Sequence, residues 1–417
     1  MGSLRQPVSL ILSIAATAAS PALGAGSLPL SPSVECGAPV MSPAAQPQGV
    51  FVLAPDAESR WVPFDFTPGN QLRFSLTIDG RPATAILDTG VSYSVLSRRF
   101  ADAAALKVMA GGSATAIGGL VPIGWAATRD VSFGALTRQG GGLAVATLPA
   151  LATGSTEPVD LLVGRDLTAR YALDIHFEAR RFRLLPSGRL PFRGRAAPLS
   201  ISRDRMVYVS QATLGATHLR PMIVDTGDGS SITVTSPGWQ AAAIDNVRTT
   251  TTISFGLAGT VTSTIGIVPS LRIGELVARN VEVRIEPPRG FSESIDAAGR
   301  IGTGFLQNYR VLLDPGAGRM ILSPGRKADL PPLRSTSGLL FGIDRDRLRV
   351  LHVMRGSPAA ESGWQEGDMI CRIDGQPVPR NYGTLPLATW SAGKPGRTVA
   401  LGLCDGRERM LTLREFY

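Results

Sequence analysis

The chain has 417 residues, too many for one hydrophobic core, so about two to four domains are expected. Its 47 glycines and 31 prolines, together with a scarcity of long helical periodicities, favour β-rich domains with many turns. The net charge of +9 is carried mostly by scattered arginines without a long basic run, which argues against nucleic-acid binding.

Residues 1–25 have the pattern of a secretory signal. Arg5 provides the positive charge, Val8 to Ala19 form the apolar core, and small residues at 22–25 provide a cleavage site. The apolar run is too short for a comfortable membrane span, and an uncleaved anchor is the alternative. We therefore expect an exported protein, periplasmic or secreted, with a linker at 26–50 and no stable membrane span.

The first stretch that suggests chemistry is AILDTGVSYSVLS, which runs from Ala85 to Ser97. It places Asp88-Thr89-Gly90 between two apolar runs, which is typical of a strand that ends in a tight turn. Asp88 is either a turn residue or a catalytic carboxylate. Because one carboxylate cannot act as general acid and general base at the same time, a catalytic Asp88 requires a partner elsewhere in the chain.

Asp-Thr-Gly occurs again as Asp225-Thr226-Gly227, within PMIVDTGDGSSITVTS, and it again has apolar residues on both sides. Three further pairs of segments follow the two tripeptides at similar distances: VSFGAL with LRIGEL, LLVGRDL with GRIGTGFL, and YALDIHFEARRFRLL with YRVLLDPGAGRMIL. A chance tripeptide would not keep so many landmarks in step. The repeat therefore predicts two homologous β-rich lobes, at 51–190 and 191–324.

Each half also contains a glycine-bearing segment that predicts a β-hairpin. In the first half it is SATAIGGLVPIGWAA, centred on Gly118 and Gly119, and in the second it is TTISFGLAGTVTST, centred on Gly256 to Gly259. Alternating threonine and aliphatic residues around glycines are typical of an exposed two-stranded ribbon. Flaps over a binding site and ordinary hairpins fit this pattern equally well.

Asp88 and Asp225 together would supply the acid and the base for hydrolysis. Two carboxylates about 3 Å apart cannot both ionise, so such a pair shares one proton. The ionised member takes a proton from a bridging water while the protonated member donates to the scissile carbonyl oxygen, and this hydrolyses a peptide bond without a metal or cofactor. The residues that would support the pair by hydrogen bonds across the turns or by close backbone approach are Thr89, Thr226, Gly90 and Gly227.

These motifs resemble the aspartic proteases, specifically the retropepsin-like group. The resemblance rests on ILDTGVSYSVL with LLVGRDL in the first half and on MIVDTGDGSSITV with IGTGFL in the second. It implies a mainly β, bilobal unit of two β-barrel lobes, with Asp88 and Asp225 as the catalytic pair and hairpin flaps that close over a peptide. The family's glycine–arginine–acid motif is present as Gly164-Arg165-Asp166, whereas the second half has Gly302-Thr303-Gly304.

Two residues depart from the family pattern, in which serine, threonine or alanine commonly follows Asp-Thr-Gly. Val91 occupies this position in the first half and Asp228 in the second. One hypothesis is that Asp228 modulates the pair: its negative charge would raise the pKa values of both aspartates and shift the working pH upward or impair the site. The other, slightly favoured, is that Asp228 is a solvated turn acid.

Residues 325–336 are polar and contain prolines, and they predict a linker to a further domain at 337–417. In that domain the run VMRGSPAAESGWQEGDMICRIDGQPV resembles a PDZ domain of the type attached to bacterial exported proteases. The resemblance implies an α+β fold with a loop whose backbone N–H groups bind the terminal carboxylate of a peptide. The residues of this loop are Leu339, Leu340, Phe341 and Gly342. A module that only packs against the lobes is the alternative.

The three cysteines and three histidines limit the chemistry. Cys371 and Cys404 are candidates for a disulfide in an oxidising compartment, which leaves Cys36 single. The sequence contains no zinc-ligand spacing and no obvious Ser-His-Asp set, so we expect neither a metal nor a cofactor.

The sequence thus predicts an exported aspartic endopeptidase that hydrolyses proteins or peptides, with a PDZ-like domain that recognises a substrate or a partner through its C-terminal peptide. A catalytically impaired peptide-binding protein, which uses the lobes and the PDZ-like domain as β-strand clamps, is the alternative. Nucleic acid is not expected as a partner.

Overall fold

The computed structural model describes residues 9–10, 49–150, 152, 158–203, 206–380, 382 and 386–417. Strands account for 49% and helices for 10% of the structure, which confirms the mainly β prediction. Apart from Ser9–Leu10, the predicted signal lies outside the described residues, as do Cys36 and the linker up to residue 48. Among the helices of the described part, none has the length and apolar character needed to cross a membrane.

The strands of the first half alternate buried and more exposed side chains, as half-buried strands do. In Leu72–Ile78, for example, every second residue from Leu72 onward is buried. The strands are β1 (Ser9–Leu10), β2 (Val50–Leu53), β3 (Val62–Pro63), β4 (Asp65–Phe66), β5 (Leu72–Ile78), β6 (Arg81–Leu87), β7 (Val95–Ser97), β8 (Val108–Ala116), β9 (Gly119–Ala127), β10 (Asp130–Phe133), β11 (Leu136–Gln139), β12 (Gly142–Ala146), β13 (Leu161–Val163), β14 (Ala172–His176) and β15 (Arg181–Leu185).

The second half repeats the same burial pattern, with Tyr208–Leu214 buried at the positions that match those of Leu72–Ile78. Its strands are β16 (Arg195–Pro198), β17 (Ser200–Ile201), β18 (Tyr208–Leu214), β19 (Thr217–Asp225), β20 (Ile232–Val234), β21 (Thr249–Gly256), β22 (Gly259–Ile273), β23 (Leu276–Ile285), β24 (Gly299–Gly302), β25 (Tyr309–Asp314) and β26 (Arg319–Pro324). The C-terminal strands are β27 (Leu339–Asp344), β28 (Arg347–Val353), β29 (Met369–Ile373), β30 (Gln376–Pro377), β31 (Thr398–Leu403) and β32 (Glu408–Thr412).

The helices are short, and three of them begin at a hydroxyl N-cap that accepts a hydrogen bond from a backbone N–H of the first turn. The caps are Ser97, Thr235 and Ser357. The α-helices are α1 (Arg98–Ala103), α2 (Arg165–Thr168), α3 (Ser236–Ala242), α4 (Phe291–Ser294), α5 (Thr303–Leu306) and α6 (Pro358–Glu361), and a 3-10 helix spans Pro386–Ala392.

The two halves have large sheets with the same strand order. In the first, the order includes β5-β6-β13-β7-β12-β9-β8, and in the second it includes β18-β19-β24-β20-β23-β22-β21. The central pairs β6–β13 and β19–β24 are parallel in both. The sequence repeat therefore corresponds to a repeat of topology, since each strand of one order has its counterpart in the other.

A six-stranded sheet joins the halves, in the order β16-β26-β25-β14-β15-β3. The hairpin β14–β15 ends the first half and β25–β26 ends the second, and β14 pairs antiparallel with β25 so that Leu173 lies opposite Leu313. One hydrophobic core contains buried residues of both halves, among them Phe74 and Tyr208. The ends of the two repeats are therefore joined by main-chain hydrogen bonds and a shared core.

The C-terminal residues form their own sheet, in the order β27-β28-β29-β31-β32, with β30 paired to β29. A separate core contains Leu348, Ile370 and Trp390. Cys371 and Cys404 form a disulfide within this sheet.

The structure corrects the loop predicted at Leu339–Gly342. These residues lie on β27, which pairs with β28, and a register shift falls between Leu340 and Phe341. Leu339 is buried and its N–H bonds to the Ser337 hydroxyl, while the ring of Phe341 stacks on Trp390 at 5.9 Å. Apolar residues that fill a core in this way favour a paired strand over an open loop.

Candidate active site

Each Asp-Thr-Gly lies where a buried central strand ends. Asp88 directly follows β6, and Asp225 is the last residue of β19. Both strands are paired on two sides. Consecutive residues are buried at the end of each strand, which shows that both faces of the sheet are covered there. We call residues 88–90 the Asp88 turn and residues 225–227 the Asp225 turn; equivalent strands of the two large sheets hold them.

The two turns are tied together by reciprocal hydrogen bonds through Thr89 and Thr226, as the sequence predicted. The backbone N–H of each threonine donates to the hydroxyl of the other, at 3.1 Å and 3.0 Å. Each hydroxyl also donates to the carbonyl oxygen of the residue directly before the opposite turn. The Thr89 hydroxyl donates to Val224 at 2.7 Å, and the Thr226 hydroxyl donates to Leu87 at 2.8 Å. Because all these groups are buried, loss of one hydroxyl leaves unpaired polar atoms and loosens both turns.

The glycines of the turns allow the two carboxyl groups to meet. A Cβ added at Gly90 would overlap the carboxyl group of Asp225, and one added at Gly227 would overlap that of Asp88. Each glycine thus lies against the carboxyl group of the opposite half. The structure brings together all six residues of the two predicted turns.

Both carboxyl groups are buried, with an exposed fraction of 0% for Asp88 and for Asp225. Burial, followed by the negative charge of Asp225, raises the pKa of Asp88 well above its ordinary value. Burial, followed by the negative charge of Asp228, raises the pKa of Asp225 to about 7, against the opposing effect of Arg300. Two interacting carboxyl groups with raised pKa values hold a shared proton at pH values where isolated aspartates have lost theirs.

Asp228 is buried, so the interpretation as a solvated turn acid is wrong. Its exposed fraction is 0%, and its carboxylate accepts hydrogen bonds from the N–H and hydroxyl of Ser230, at 2.8 Å and 2.6 Å. Its other oxygen accepts from Nε of Arg300 at 3.2 Å. A buried carboxylate needs such a cation and donors, because water does not solvate it.

The partner of Asp228 belongs to a larger buried network. Nη1 of Arg300 donates to Glu286 at 2.7 Å and to the Ser292 hydroxyl at 2.6 Å, and the N–H of Ser292 donates to Glu286 at 2.8 Å. Arg300 lies on β24 next to Ile223 of β19, two residues before Asp225. The charges of this network therefore lie beside the end of β19, where the Asp225 turn begins. We describe this place, and the corresponding place at the end of β6, as behind the turn.

The corresponding place behind the Asp88 turn is apolar. Val91 and Leu162 pack in one buried cluster, and Leu162 lies next to Ile86 of β6, as Arg300 lies next to Ile223. Val91 makes no charged contact with the pair. In this half Asp166 accepts hydrogen bonds from the N–H and hydroxyl of Ser94, at 2.8 Å and 2.7 Å.

The predicted hairpins are present as β8–β9 and β21–β22, and their tips meet. The N–H of Ala258 donates to the carbonyl oxygen of Ile117 at 3.2 Å. Gly118 and Gly119 have positive φ values, of 92° and 140°, and a Cβ added at Gly256 would overlap the Ile117 carbonyl oxygen. Glycine is needed here for the turn and for the approach of the tips.

The two tips pack on residues that flank the turns. Ile117 lies in one buried cluster with Ile223, two residues before Asp225. Ala258 packs against the cluster that contains Val91, the residue after the Asp88 turn. In this closed arrangement the hairpins and the strands enclose the carboxyl pair.

Leu339–Gly342 lie in the C-terminal sheet, apart from the turns. That sheet contacts the second hairpin instead: Thr251 on β21 bonds to the His352 ring at 2.9 Å, and the Thr250 hydroxyl donates to the Arg355 carbonyl oxygen at 2.8 Å. The C-terminal residues therefore touch the hairpin and not the carboxyl pair.

Sequence reasoning missed Arg300, Glu286 and Gln71. Nε2 of Gln71 donates to the carbonyl oxygen of Gly227 at 2.8 Å, which fixes the Asp225 turn from the other half. The signal for Arg300 was present in the segment GRIG, where an arginine lies in an otherwise apolar strand. An arginine in such a place needs a buried acidic partner, and the additional aspartate after the second Asp-Thr-Gly was the candidate.

Residues 74–167 match the family described as aspartyl protease. The match includes the Asp88 turn, the first hairpin, whose tip packs on a residue that flanks the Asp225 turn, and Asp166, which bonds to Ser94. No curated protein matches the chain. The first half of the candidate site is therefore similar to the aspartyl proteases.

Proposed function

We propose that the chain is an aspartic endopeptidase with Asp88 and Asp225 as its catalytic pair. The observation that carries the proposal is the meeting of two buried carboxyl groups on turns that hydrogen-bond to each other. The family match over 74–167 supports a peptidase and peptide substrates. Residues 51–190 and 191–324 would form the two lobes of this unit.

The proposed reaction needs one water and one proton shared by the pair. The ionised carboxylate takes a proton from the water as its oxygen bonds to the scissile carbonyl carbon, and the protonated carboxyl group gives its proton to the carbonyl oxygen. The tetrahedral intermediate then breaks its C–N bond. One carboxyl group returns a proton to the leaving nitrogen while the other takes the proton of a hydroxyl, and the pair regains its starting state. This sequence requires no metal or cofactor.

Substrate access requires the hairpin tips to separate, because the carboxyl groups are fully buried beneath them. A Cβ at Gly119 would lie 3.7 Å from the Cβ of Ala258, a distance suitable for a disulfide. We expect a Gly119→Cys, Ala258→Cys variant to lose activity on oxidation and regain it on reduction. The reduced form controls for the strain of cysteine at the positive φ of Gly119. Full activity in the oxidised form would show that the tips need not open.

We further propose that the chain is exported and that residues 337–417, after a linker at 325–336, act as a PDZ-like domain for a peptide C-terminus. The pattern of residues 1–25 supports export, and so does the Cys371–Cys404 disulfide, since structural disulfides persist in oxidising compartments. The edge position of β27, which contains Leu339–Gly342, supports strand addition by a peptide. The contacts of Thr250 and Thr251 with the C-terminal sheet would place such a partner beside the second hairpin.

The decisive experiment is digestion of a denatured protein by the purified chain across a range of pH. Asp88→Asn and Asp225→Asn should each lower kcat/KM on the order of 10²- to 10⁴-fold, because each removes the acid or the base. Asp102→Asn, at an exposed position on α1, is the matched control and should retain activity. No cleavage by the wild-type chain at any pH, with retained peptide binding, would favour a peptide-binding protein instead.

A further inference from the structure

The two carboxyl groups receive different numbers of hydrogen bonds. Oδ1 of Asp225 accepts from the N–H of Gly227 at 2.9 Å and from the N–H of Asp228 at 3.1 Å. Oδ1 of Asp88 accepts from the N–H of Gly90 at 3.1 Å, and within the described part of the chain its Oδ2 receives no N–H or hydroxyl donor. Hydrogen bonds from N–H groups stabilise the ionised form of a carboxyl group, so they favour charge on Asp225.

The fixed charges that act most strongly on the pair lie on the Asp225 side. Asp228 and Arg300 lie behind Asp225, and Glu286 and Arg284 are buried in the same region. Behind Asp88 the corresponding residues, Val91 and Leu162, are apolar, and the partly buried Asp166 bonds to Ser94. An asymmetric pair of this kind has an acid and a base that the environment selects in advance.

We infer that Asp225 is the ionised base that takes the proton from water and that Asp88 carries the shared proton. Arg300 and the N–H donors to Asp225 favour this order, and Asp228 is a positioning residue that sets the pH at which the base ionises. The inference rests on the proposed peptidase function. The water oxygen bonds to the carbonyl carbon, and a proton of the water moves to Asp225. At the same time Asp88 gives its own proton to the carbonyl oxygen. Asp225 then gives that proton to the leaving nitrogen, and Asp88 regains a proton from the hydroxyl.

Of the charges beside Asp225, Arg300 acts in favour of this order and Asp228 acts against it. The pKa of Asp88 is raised well above its ordinary value by burial and by Asp225, whereas that of Asp225 is raised to about 7 by burial and Asp228, with Arg300 acting in the opposite direction. Asp228 therefore shifts ionisation of the base toward neutral pH, while Arg300 pairs with the buried Asp228 side chain. Removal of the Asp228 charge should lower the pH at which Asp225 ionises.

The first test compares pH profiles of kcat/KM for wild type, Asp228→Asn and Asp166→Asn. Both substitutions remove a carboxylate that bonds to a serine beyond a turn, so a merely structural role predicts the same effect for both. We expect Asp228→Asn to move the acidic limb of the kcat/KM profile to lower pH, by about one pH unit. Asp166→Asn should leave this limb at the pH of wild type. Equal shifts in the two variants, or a shift in neither, would overturn the role of Asp228.

The second test does not depend on proteolysis. In full-length protein with ¹³C-labelled aspartate carboxyl groups, NMR titration follows Asp88 and Asp225, which are assigned by comparison with the two Asp→Asn variants. We expect Asp225 to ionise first as the pH rises, and at lower pH in Asp228→Asn than in wild type. Ionisation of Asp88 first would overturn the inference even if the chain is a peptidase, whereas a chain without peptidase activity would still show the predicted order.

A third variant separates a folding defect from the electrostatic effect of the Asp228 charge on Asp225. Asp228→Ser keeps a hydroxyl beside the turn and removes the charge, so it should lower the ionisation pH of Asp225 in the same direction as Asp228→Asn. Circular dichroism identifies the variants that fold. If both folded variants ionise as wild type does, Asp228 has no part in setting the pH at which Asp225 ionises.

Discussion

The serine that follows the Asp88 turn and the serine that follows the Asp225 turn are each held by a carboxylate, but the two carboxylates come from different positions in the repeat. In both halves a carboxylate accepts hydrogen bonds from the N–H and hydroxyl of a serine that follows the turn. In the first half this carboxylate is Asp166, at the start of α2, and in the second it is Asp228, directly after the turn. The bonding pattern, and not the sequence position of the acid, is common to the two halves.

The second half cannot use the arrangement of the first. A side chain at Gly304, the counterpart of Asp166 in the repeat, would overlap the backbone of Ser230. The charge of Asp228 acts on Asp225, and because Asp228 is buried it needs a buried cation. The second half accordingly has Arg300 and Glu286 in a place that is apolar in the first half.

The largest effect that would test this comparison is expected for Arg300→Leu, which copies Leu162 of the first half. The variant leaves Asp228 and Glu286 buried without their cation, so we expect a loss of about 3–5 kcal/mol in the free energy of unfolding. Leu162→Met in the first half should lose less than about 1.5 kcal/mol, because it conserves volume and involves no charge. Chemical denaturation measures both.

The matched rescue removes the whole network with Asp228→Val, Arg300→Leu and Glu286→Gln. If the cost of Arg300→Leu arises from unpaired buried carboxylates, this triple variant should recover at least half of the lost stability. A triple variant as unstable as Arg300→Leu alone would show that packing of the arginine, and not its charge, is what the second half requires.

The second-largest effect tests a feature that the two halves share, the reciprocal hydrogen bonds of Thr89 and Thr226. Thr89→Val and Thr226→Val each remove a hydroxyl that donates to one carbonyl oxygen and accepts one N–H across the turns. We expect each to cost about 1–3 kcal/mol of stability, and the two losses to be similar. Thr→Ser at either position retains the hydroxyl and is the control. Clearly unequal losses would mean that the charges behind Asp225 also change the way the threonines bond.

The carboxyl pair, its threonines and the hairpins could be predicted because the sequence repeats them, and a repeat shows which residues share a place. The Arg300 partner could not be found in this way, since the repeat has leucine there and the ion pair joins residues far apart in sequence. Asp228 was misjudged for the same reason: an acid after a turn is usually solvated, and only its spatial neighbours show that it is buried. At Leu339–Gly342 the resemblance to PDZ domains implied a loop, but pairing with β28 and packing on Trp390 give a strand.

The effect that is smallest over a single pH unit concerns the pH dependence of stability, and it again separates charge from structure. The pKa of Asp225 in the folded chain is about 7, above the ordinary value of 3.8, so the folded state binds more protons than the unfolded state between these values. Stability therefore falls as the pH rises through this window, by at most about 1.4 kcal/mol per pH unit for one group. Asp225→Asn cannot ionise and should show a shallower decline, measured by denaturation at pH 4 to 8. A decline as steep as that of wild type would mean that other buried groups cause it, and that the charge on Asp225 is already well compensated by the N–H donors and Arg300.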